Sequence, residues 1–359
     1  MKENLKAIIL VGGEGTRLRP LTYWLPKQML PMCNMTMIER VVMHLSKFGI
    51  TEVVLSLGYK PEPFLKAFPT NELFGVKLSY VVEPQLMDTA GAIRYAFERS
   101  EITKAFIAIN GDVFSDINVG NFVSFHKKTG SLATICLTKV EDPSRYGVAV
   151  LNSENKILDF VEKPPKEKAP SRFINAGYYV LEPQVIDLIK PGMRVSIEKE
   201  IFPNLASLNK LSGFIWQSYW IDTGTPQSYI KAALDLLNSS TDPIIPDAQL
   251  IEKNIYFGKS VKCLAELKGN VLIGSNSDVG RGILSNTILG NSVKIYNDFN
   301  IENSYIFDNV VIHDKVEIKN SIIGAGAIIE HSCVLNDCVV GFDVKVESGG
   351  IYQGGKIPQ

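Results

Sequence analysis

The sequence predicts an α/β domain with a largely parallel sheet, followed by a parallel β-helix. Strand-like and helix-like segments alternate up to about Leu237, and beyond residue 246 short β-branched segments recur between Gly, Asn and Asp. Alternation of this kind is typical of a sheet covered by helices, and a six-residue period is typical of aliphatic side chains stacked inside a triangular prism. We therefore predict two domains, residues 1–240 and 241–359.

The first domain opens with a β-α-β unit. Thr36 and Glu39 form a capping box for a helix that ends near Gly49, and the apolar residues of this segment fall on one helical face. Further strands and helices continue the alternation. The predicted strands are residues 7–11, 52–57, 78–82, 105–109 and 132–137, and further helices begin near Thr89 and span residues 119–128.

The second domain follows the segment DPIIP at residues 242–246 and carries the repeats. Its aliphatic residues recur at intervals of six in two phases, which predicts at least one inserted residue or loop between Phe307 and Val310. Residues 266–281 are the less regular start of the repeats. The later set is Val310, Val316, Ile322, Ile328, Val334, Val340 and Val346, and the earlier set is Leu289, Ile295, Ile301 and Phe307.

Composition limits the classes of partner. The chain has 359 residues, 45% of them hydrophobic, and a formal net charge of −1, so neither nucleic acid nor an anionic membrane is favoured as an electrostatic partner. No segment resembles a signal peptide or a membrane span, so we expect a cytoplasmic protein. The five cysteines are scattered without CxxC spacing, which predicts reduced, structural thiols rather than disulfides or a zinc site.

The most informative segment is the glycine turn GGEGTR at residues 12–17, which follows the first strand and precedes Arg19 and Lys27. Such a turn lets backbone amides approach an oxyanion, and Arg17 with the two later cations would grip a polyphosphate. A dinucleotide fingerprint would need a third glycine where Leu18 stands, and a P-loop would need Gly-Lys-Ser/Thr. The turn therefore predicts a triphosphate site. Arg19 either assists it or faces solvent.

Three strand-end segments are expected to meet at one cleft. They are the loop around Gly13, residues 83–91, and the tripeptide NGD at residues 110–112. In parallel α/β sheets, ligands bind beyond the carboxyl ends of the strands. The three segments would then face one ligand.

Ordered motifs give the chain a family resemblance that covers nearly its whole length. It resembles the sugar-1-phosphate nucleotidyltransferases, and within them most closely the mannose-1-phosphate guanylyltransferases, which pair this catalytic domain with a hexapeptide-repeat tail. The resemblance implies a Rossmann-like domain with a mixed, mostly parallel sheet, followed by a left-handed parallel β-helix. The motifs are GGEGTRL (12–18), PLT (20–22), PK (26–27), TAGA (89–92), NGD (110–112), YGV (146–148), FVEKP (160–164), NAG (175–177) and WIDTG (220–224).

The resemblance also implies a reaction. A sugar 1-phosphate and a nucleoside triphosphate give a nucleoside-diphosphate sugar and pyrophosphate, with mannose 1-phosphate and GTP as the first expectation. The attacking phosphate and the triphosphate are both anionic, so the protein must cancel charge, align the reactants and exclude water. Mg²⁺ is the implied cofactor, since it binds a few carboxylates together with phosphate oxygens.

Site roles carry over from the same resemblance. Arg17 would bind the departing pyrophosphate, Lys27 would contact the reacting phosphates, and Lys163 would clamp the sugar phosphate. Asp112 and Asp222 would hold Mg²⁺. The implied nucleotide-binding residues are Leu10, Gly12, Gly13, Gly15, Thr16, Arg17, Gln85, Asp88 and Gly91, and the implied sugar-phosphate residues are Gly147, Glu162, Lys163 and Asn175.

Each role has a simpler alternative. An aspartate after a strand is usually an N-cap or turn residue, a Glu162–Lys163 pair is usually an exposed ion pair, and Asn175 is a common turn former. The histidines, including His313 and His331 in the repeats, show no partner pattern in the sequence and are interpreted as surface or helix-face residues.

The base and the sugar remain open. Asp88 stands where related guanylyltransferases carry glycine, so it would either cap the following helix or accept hydrogen bonds from guanine. Gln28 after Lys27 resembles the thymidylyltransferase version of the motif, and Gln85 would read an amide edge of a base. Guanine, thymine and uracil are therefore all compatible with the sequence.

Two further function classes are kept as alternatives. One is a catalytically inactive regulatory subunit, against which the intact Arg17, Lys27 and Asp112 argue. The other is an acyltransferase on the β-helix, for which His313 and His331 would be the available histidines. We expect instead that the β-helix mediates contacts in a homo-oligomer or regulation.

Overall fold

The computed structural model describes residues 5–58, 60–238 and 245–358. Two compact units make up the chain, Met1–Gly13 with Ile38–Ile221, and Glu14–Met37 with Asp222–Gln359. The boundary predicted at residues 240–241, like most of the segment 242–246, lies outside the described residues. The division into domains 1–240 and 241–359 therefore stays a prediction.

The first unit is built on a mixed ten-stranded sheet, as the family resemblance implied. A short separate pair joins β6 to β12, of which all but the last residue belongs to this unit. The strands are β1 Lys6–Leu10, β2 Glu52–Leu57, β3 Glu72–Leu73, β4 Val76–Val82, β5 Phe106–Asn110, β6 Val113–Ser115, β7 Ala133–Lys139, β8 Gly147–Leu151, β9 Ile157–Glu162, β10 Phe173–Leu181, β11 Leu211–Ile215 and β12 Trp220–Asp222.

Strand β1 is central because its side chains are buried on both faces: Ala7, Ile8 and Ile9 are fully buried. It pairs in parallel with β2 and with β5, so these three strands end at one edge of the sheet. There Leu10 lies beside both Ser56 and Asn110. Strand β10 runs antiparallel between β5 and β7, which makes the sheet mixed.

The predicted strands of this unit are confirmed to within two residues at each end, and so is the helix predicted after Thr36. That helix, α1, ends at Lys47, two residues before Gly49. The helices are α1 Met37–Lys47, α2 Glu62–Ala67, α3 Asp88–Glu98, α4 Val119–Thr129, α5 Gln184–Asp187 and α6 Phe202–Ser207, with a π-helical segment at Ile197–Ile201.

The second unit contains α7 (Pro226–Leu237) and a parallel β-helix. Helix α7 begins with a capping box between Thr225 and Ser228 and has proline at its first turn. The strands of the unit are β13 Ala248–Glu252, β14 Ile255–Gly258, β15 Lys262–Cys263, β16 Glu266–Ile273, β17 Asp278–Val279, β18 Gly282–Leu289, β19 Lys294–Ile295, β20 Phe299–Ile306, β21 Val311–Ile312, β22 Glu317–Lys319, β23 Ile322–Ile323, β24 Ile328–Ile329, β25 Val334–Val340, β26 Lys345–Val346 and β27 Ile351–Ile357.

The coils of the β-helix are shorter than eighteen residues, the length that three strict hexapeptides would give. Lys262 pairs with Asp278, sixteen positions on, and Val311 pairs with Ile328, seventeen positions on. The buried aliphatic residues therefore step by six, six and five in a seventeen-residue coil, and by six, five and five in a sixteen-residue coil. Those on the later coils are Ile301, Ile306, Ile312, Ile318, Ile323, Ile329, Leu335, Val340 and Val346.

The predicted phase is consequently wrong in part. Ile328 is exposed at 36%, and its neighbour Ile329 is the buried residue. Val334 is half-buried, with Leu335 inside the core. The insertion predicted between Phe307 and Val310 is also wrong, because the change of phase comes from the five-residue step that each coil contains.

Within the second unit, the segment Glu14–Met37 packs on α7 and on the β-helix. The Cys33 N–H donates to the Tyr305 hydroxyl (2.9 Å), and the Cys33 thiol donates to the Ala233 carbonyl (3.3 Å). The Tyr305 ring stacks on Tyr229 of α7, with ring centroids 5.8 Å apart. Segment, helix and coil are thereby joined around one aromatic cluster.

Two sequence expectations concern the chain as a whole. Among the described residues, the helices are too short or too polar to cross a membrane. Four of the five cysteines, including Cys33 and Cys136, are buried, and none is paired in a disulfide. Burial raises the pKa of the Cys136 thiol, which keeps it protonated at neutral pH.

Candidate functional site

The glycine turn in the second unit is held in a left-handed conformation. Gly15 has φ of +61°, and a Cβ added there would lie 3.0 Å from the Thr22 side chain. The Thr22 hydroxyl donates to the Gly15 carbonyl (2.9 Å) and fixes the turn, which leads into a short 3₁₀ segment at Thr16–Leu18. Glycine is required here by both conformation and space.

Arg17 and Asp222 share a neighbour, Gly224. A Cβ built on Gly224 would collide with the Arg17 guanidinium and would lie 2.8 Å from Asp222 Oδ1. Asp222 Oδ1 is buried and accepts no hydrogen bond from any residue that the structure describes. Because a buried carboxylate oxygen normally has a partner, this oxygen is suited to an external cation or donor.

The two other cations of the signature segment have different surroundings. Lys27, in the 3₁₀ segment Lys27–Met29, is only 4% exposed, and its stem packs beside Gly15. Arg19 forms an ion pair with Glu14 (2.8 Å) and lies over the Tyr23 ring. Two roles were predicted for Arg19, assistance to the triphosphate and simple exposure to solvent. This pairing favours neither.

The last strand of the β-helix, β27, contacts the glycine turn. Lys356 of β27 donates from Nζ to the Thr16 carbonyl oxygen, 3.1 Å away. A Cβ on Gly341 would lie 3.3 Å from the ring of Pro20. The glycine turn is therefore supported by the repeats and by its own segment.

In the first unit, a buried carboxylate lies beneath the start of the loop. Glu83, 8% exposed, accepts hydrogen bonds from the Ser56 hydroxyl (3.3 Å) and the Met87 N–H (3.1 Å). A Cβ on Gly12 would lie 3.3 Å from Glu83 Oε1, so glycine permits this approach. Burial raises the pKa of the Glu83 carboxyl. Gly13, in contrast, has open space around its Cα.

The segment predicted to read the base lies between β4 and α3. Gln85 is exposed. Asp88, at φ of +59°, adopts the left-handed backbone that its family equivalent, glycine, would favour. Its carboxylate accepts from the Thr89 N–H (2.9 Å) and lies 3.7 Å from Arg194 Nε. Contact with the helix start is thus observed, although α3 begins at Asp88 itself rather than at Thr89.

Gly91 has a packing reason for being glycine. It is buried in α3, and a Cβ there would lie 2.6 Å from the Met193 carbonyl oxygen. The Gly91 N–H donates to the Val195 carbonyl (3.1 Å). Its predicted nucleotide-binding role remains untested.

The predicted NGD and NAG motifs meet at a tyrosine. Asn110 and Asn175 both donate side-chain hydrogen bonds to the Tyr179 hydroxyl, at 3.4 and 2.9 Å. Gly111 lies against the Leu10 carbonyl, where a Cβ would be 2.8 Å away. The next residue, Asp112, is half-buried and follows the end of β5. Asn175 Oδ1 also accepts from the Gly177 N–H (2.9 Å), the turn contact that the simpler alternative predicted.

Three of the four predicted sugar-phosphate residues, Gly147, Glu162 and Lys163, lie on β8 and at the end of β9, and the fourth, Asn175, lies on β10. Gly147 pairs with Glu162, and a Cβ on Gly147 would collide with the Phe160 ring and lie 2.8 Å from Glu162 Oε2. Lys163 forms an ion pair with Glu162 (3.0 Å), its side chain is 64% exposed, and its φ is +49°. The Lys163 ammonium is therefore accessible to a ligand although it is paired with Glu162.

Sequence reasoning missed a second carboxylate, the half-buried Glu198. It accepts hydrogen bonds from the hydroxyls of Thr89 (2.6 Å) and Ser196 (2.9 Å), and burial raises its pKa. Thr89 in turn accepts from the Ile197 N–H (2.9 Å), so the start of α3 is anchored to this segment. The only sequence signal that pointed toward Glu198 was its partner Thr89, in the TAGA motif.

The structure thus gathers the predicted residues into two sets, one in each unit. The first unit contains Leu10, Gly12, Gly13, Gln85, Asp88, Gly91, Asp112, Gly147, Glu162, Lys163 and Asn175, and the second contains Gly15, Thr16, Arg17, Lys27 and Asp222.

Family models match both parts of the chain. The model described as "Nucleotidyl transferase" matches residues 6–239, and "EIF2B subunit epsilon LbH domain" matches residues 252–351. The second match agrees with the left-handed β-helix that the family resemblance implied.

Curated and solved relatives are similar over much of their length. A mannose-1-phosphate guanylyltransferase of Mycobacterium tuberculosis is 32% identical over 295 residues, which cover 81% of each chain. A mannose-1-phosphate guanyltransferase of Schizosaccharomyces pombe is 37% identical over 77% of this chain and 73% of its own. The structure of HddC from Yersinia pseudotuberculosis complexed with GMP-PN has a TM-score of 0.53 at 28% identity, covering 64% of this chain and 98% of HddC.

Proposed function

This chain belongs to the nucleotidyl transferase family, and on that premise we propose that it transfers a guanylyl group from GTP to mannose 1-phosphate, giving GDP-mannose and pyrophosphate. The names of its relatives and the GMP-PN complex of HddC support the choice of guanine and mannose. The observation that supports the chemistry most directly is the grouping of Arg17 and the unpartnered Asp222 oxygen at Gly224.

Charge neutralisation is the main requirement of the reaction. The sugar phosphate attacks the α-phosphorus, and negative charge moves onto the leaving pyrophosphate. Arg17 would bind that pyrophosphate, because a planar guanidinium matches paired phosphate oxygens. Lys27 would contact the reacting phosphates, and its burial would favour interaction with an anion over water.

The glycine turn would hold the nucleotide through its backbone. Gly13 has open space on its Cα side and Gly15 holds the left-handed turn, so N–H groups would be free of side-chain obstruction. Gln85 and Asp88 would recognise the base. The remaining residues proposed to bind the nucleotide are Leu10, Gly12, Thr16 and Gly91.

Asp112 and Asp222 would hold Mg²⁺. The buried Asp222 Oδ1, without a hydrogen-bond partner among residues 5–58, 60–238 and 245–358, fits this role, since carboxylate oxygens are the ligands that Mg²⁺ prefers. When bound, Mg²⁺ supplies neutralisation of the triphosphate charge.

The sugar phosphate would be held by residues of β8, β9 and β10. The exposed Lys163 ammonium would pair with the phosphate, while Glu162 and Asn175 would hydrogen-bond the sugar hydroxyls. Gly147 would permit close approach of the sugar phosphate, because no side chain projects from it. These contacts would align the attacking oxygen.

Substrate choice is tested by a matrix assay. Purified protein with Mg²⁺ is mixed with each of GTP, dTTP, UTP, ATP and CTP and with a panel of sugar 1-phosphates, and pyrophosphate release is measured. We expect GTP with mannose 1-phosphate to give the highest kcat/KM. Highest activity with dTTP or UTP and glucose 1-phosphate would replace the proposed substrates but keep the reaction class.

The same assay distinguishes the inactive alternative. Release no greater than that of an Arg17→Ala protein with every pair would favour a regulatory subunit. Acyl transfer is tested separately, by thiol release from acetyl-coenzyme A with amino-sugar phosphates. We expect none above background.

We also propose that the domains divide near residue 240.

We further propose that the protein forms a homo-oligomer through the β-helix. The exposed apolar side chains of Leu264 and Ile351 on the repeats support this oligomer. Light scattering after size-exclusion chromatography tests it. A monomeric mass at micromolar concentration would contradict it.

A further inference from the structure

One cluster of metal-ligating side chains on the β-helix has no part in the proposed reaction. It contains His313, Glu330 and His331, whose ligating atoms all lie within 4.8 Å of one another. We propose that this His–Glu–His cluster, defined by these three residues, binds a divalent transition metal ion of the Zn²⁺ class.

The fold explains why the three side chains meet. Strands β21 and β24 pair in parallel with Val311 opposite Ile328, so residues seventeen positions apart lie on adjacent coils. His313 follows β21, and Glu330 follows β24 directly beside it. His331 is the next residue along. Adjacent strands are about 4.8 Å apart, which brings side chains of this size within reach of one ion.

The ligating atoms are somewhat farther apart than around a bound ion. His313 Nε2 lies 3.9 Å from Glu330 Oε2. Tetrahedral ligands at about 2.1 Å from a metal lie about 3.4 Å from each other, so this pair must close by about 0.5 Å and the widest separation, within 4.8 Å, by up to about 1.4 Å. His331 is half-exposed and can make this adjustment by side-chain rotation.

Neighbouring residues fix and tune the cluster. The Tyr296 ring stacks on His313 with an interplanar angle of 7° and a centroid distance of 5.1 Å, which restricts the imidazole. Asp314 Oδ2 lies 3.6 Å from His331 Nδ1 and adds a second carboxylate to the surroundings. A ligand set of imidazole nitrogens and a carboxylate binds Zn²⁺ in preference to Mg²⁺.

Lys345 opposes metal binding. Its Nζ lies 3.3 Å from Glu330 Oε1 and 3.4 Å from Glu347, so it competes with a cation for Glu330. Removal of this ammonium should therefore strengthen binding. The loss expected for His313→Gln, which removes a ligand without removing negative charge, distinguishes a coordinated ion from weak surface attraction.

The test measures Zn²⁺ binding to the full chain by equilibrium dialysis, after chelator treatment and in excess Mg²⁺ that occupies sites made of carboxylates alone. His313→Gln and Glu330→Gln should each weaken binding at least about tenfold, since each removes a ligand. Lys345→Ala should tighten it. Glu302→Gln and Lys319→Ala, which remove a comparable β-helix ion pair (3.2 Å), are the matched controls and should leave it unchanged.

A second measurement identifies the ligands. Co²⁺ added in place of Zn²⁺ should give a visible absorption band that His331→Gln alters and Glu302→Gln does not. Absence of Zn²⁺ binding in excess Mg²⁺, or equal affinity in the wild type and both His313→Gln and Glu330→Gln, would overturn the proposal. Pyrophosphate release is measured separately, so that failure of the proposed catalysis does not affect this result.

Discussion

The Arg17 guanidinium and the Asp222 carboxylate lie against the same Cα, that of Gly224. The two residues are more than two hundred positions apart in sequence, yet both lie where a side chain on Gly224 would be. A glycine in WIDTG is therefore required by the proposed pyrophosphate-binding arginine and by the proposed metal-binding aspartate together.

Gly224→Ala should consequently impair catalysis more than folding. A methyl group would displace Arg17, Asp222 or both, and loss of one well-placed charge-stabilising group typically costs about 10²–10³ in kcat. Steady-state pyrophosphate release gives kcat and KM. Gly120→Ala is the matched control, because an added Cβ there meets only an ordinary contact at 3.4 Å, and its activity should equal that of the wild type. Equal activity of the two variants would contradict the arrangement.

Substitution of the proposed Mg²⁺ carboxylates should remove metal-dependent turnover. Asp112→Asn and Asp222→Asn keep side-chain size but weaken cation binding, so we expect losses of about a hundredfold or more at moderate Mg²⁺. Circular dichroism and thermal unfolding check that the fold is retained. Asp159→Asn, an exposed aspartate on β9, is the control. Undiminished activity of Asp112→Asn would remove that residue from the metal site.

Local patterns in the sequence were sufficient for five of the strands and for α1 in the first unit. The Ala7–Ile9 core of β1 and the amphipathic face of α1 depend on neighbours a few positions away, so strand and helix positions could be predicted closely. The phase of the β-helix repeats could not be predicted in this way. Whether Ile328 or Ile329 faces inward is decided by the length of the whole coil, which no short window contains.

Two carboxylates enclosed by tertiary packing, one buried and one half-buried, were also beyond the sequence. Glu83 and Glu198 resemble exposed acidic residues in any local window, and only tertiary packing surrounds them with Ser56, Met87, Thr89 and Ser196. The histidines 313 and 331 were interpreted as ordinary surface residues for the same reason. The consecutive residues Glu330 and His331 become neighbours of His313 only when the coils stack.

Glu198 should make stability depend on pH. Its folded-state pKa is raised by burial, so its contribution to the free energy of unfolding is fully present below the unfolded value of about 4.3 and is lost as pH rises through the folded value. Glu198→Gln lacks this titration. The variant should gain stability relative to the wild type between about pH 4.5 and pH 7.5, as measured by urea unfolding at both ends of the range. Parallel stabilities at the two pH values would contradict the assignment.

The contact between Lys356 and Thr16 should affect the nucleotide rather than the sugar phosphate. Lys356→Met removes the hydrogen bond from Nζ to the Thr16 carbonyl while keeping most of the side-chain volume, so the glycine turn would lose one of its supports. Hydrogen bonds of this exposed kind contribute modestly, and we expect KM for the nucleoside triphosphate to rise about twofold to fivefold, with little change in KM for the sugar phosphate. Lys319→Met, which removes another exposed β-helix lysine, is the control and should leave both constants unchanged. A rise of similar size in both KM values, or in neither, would show that β27 does not support the loop.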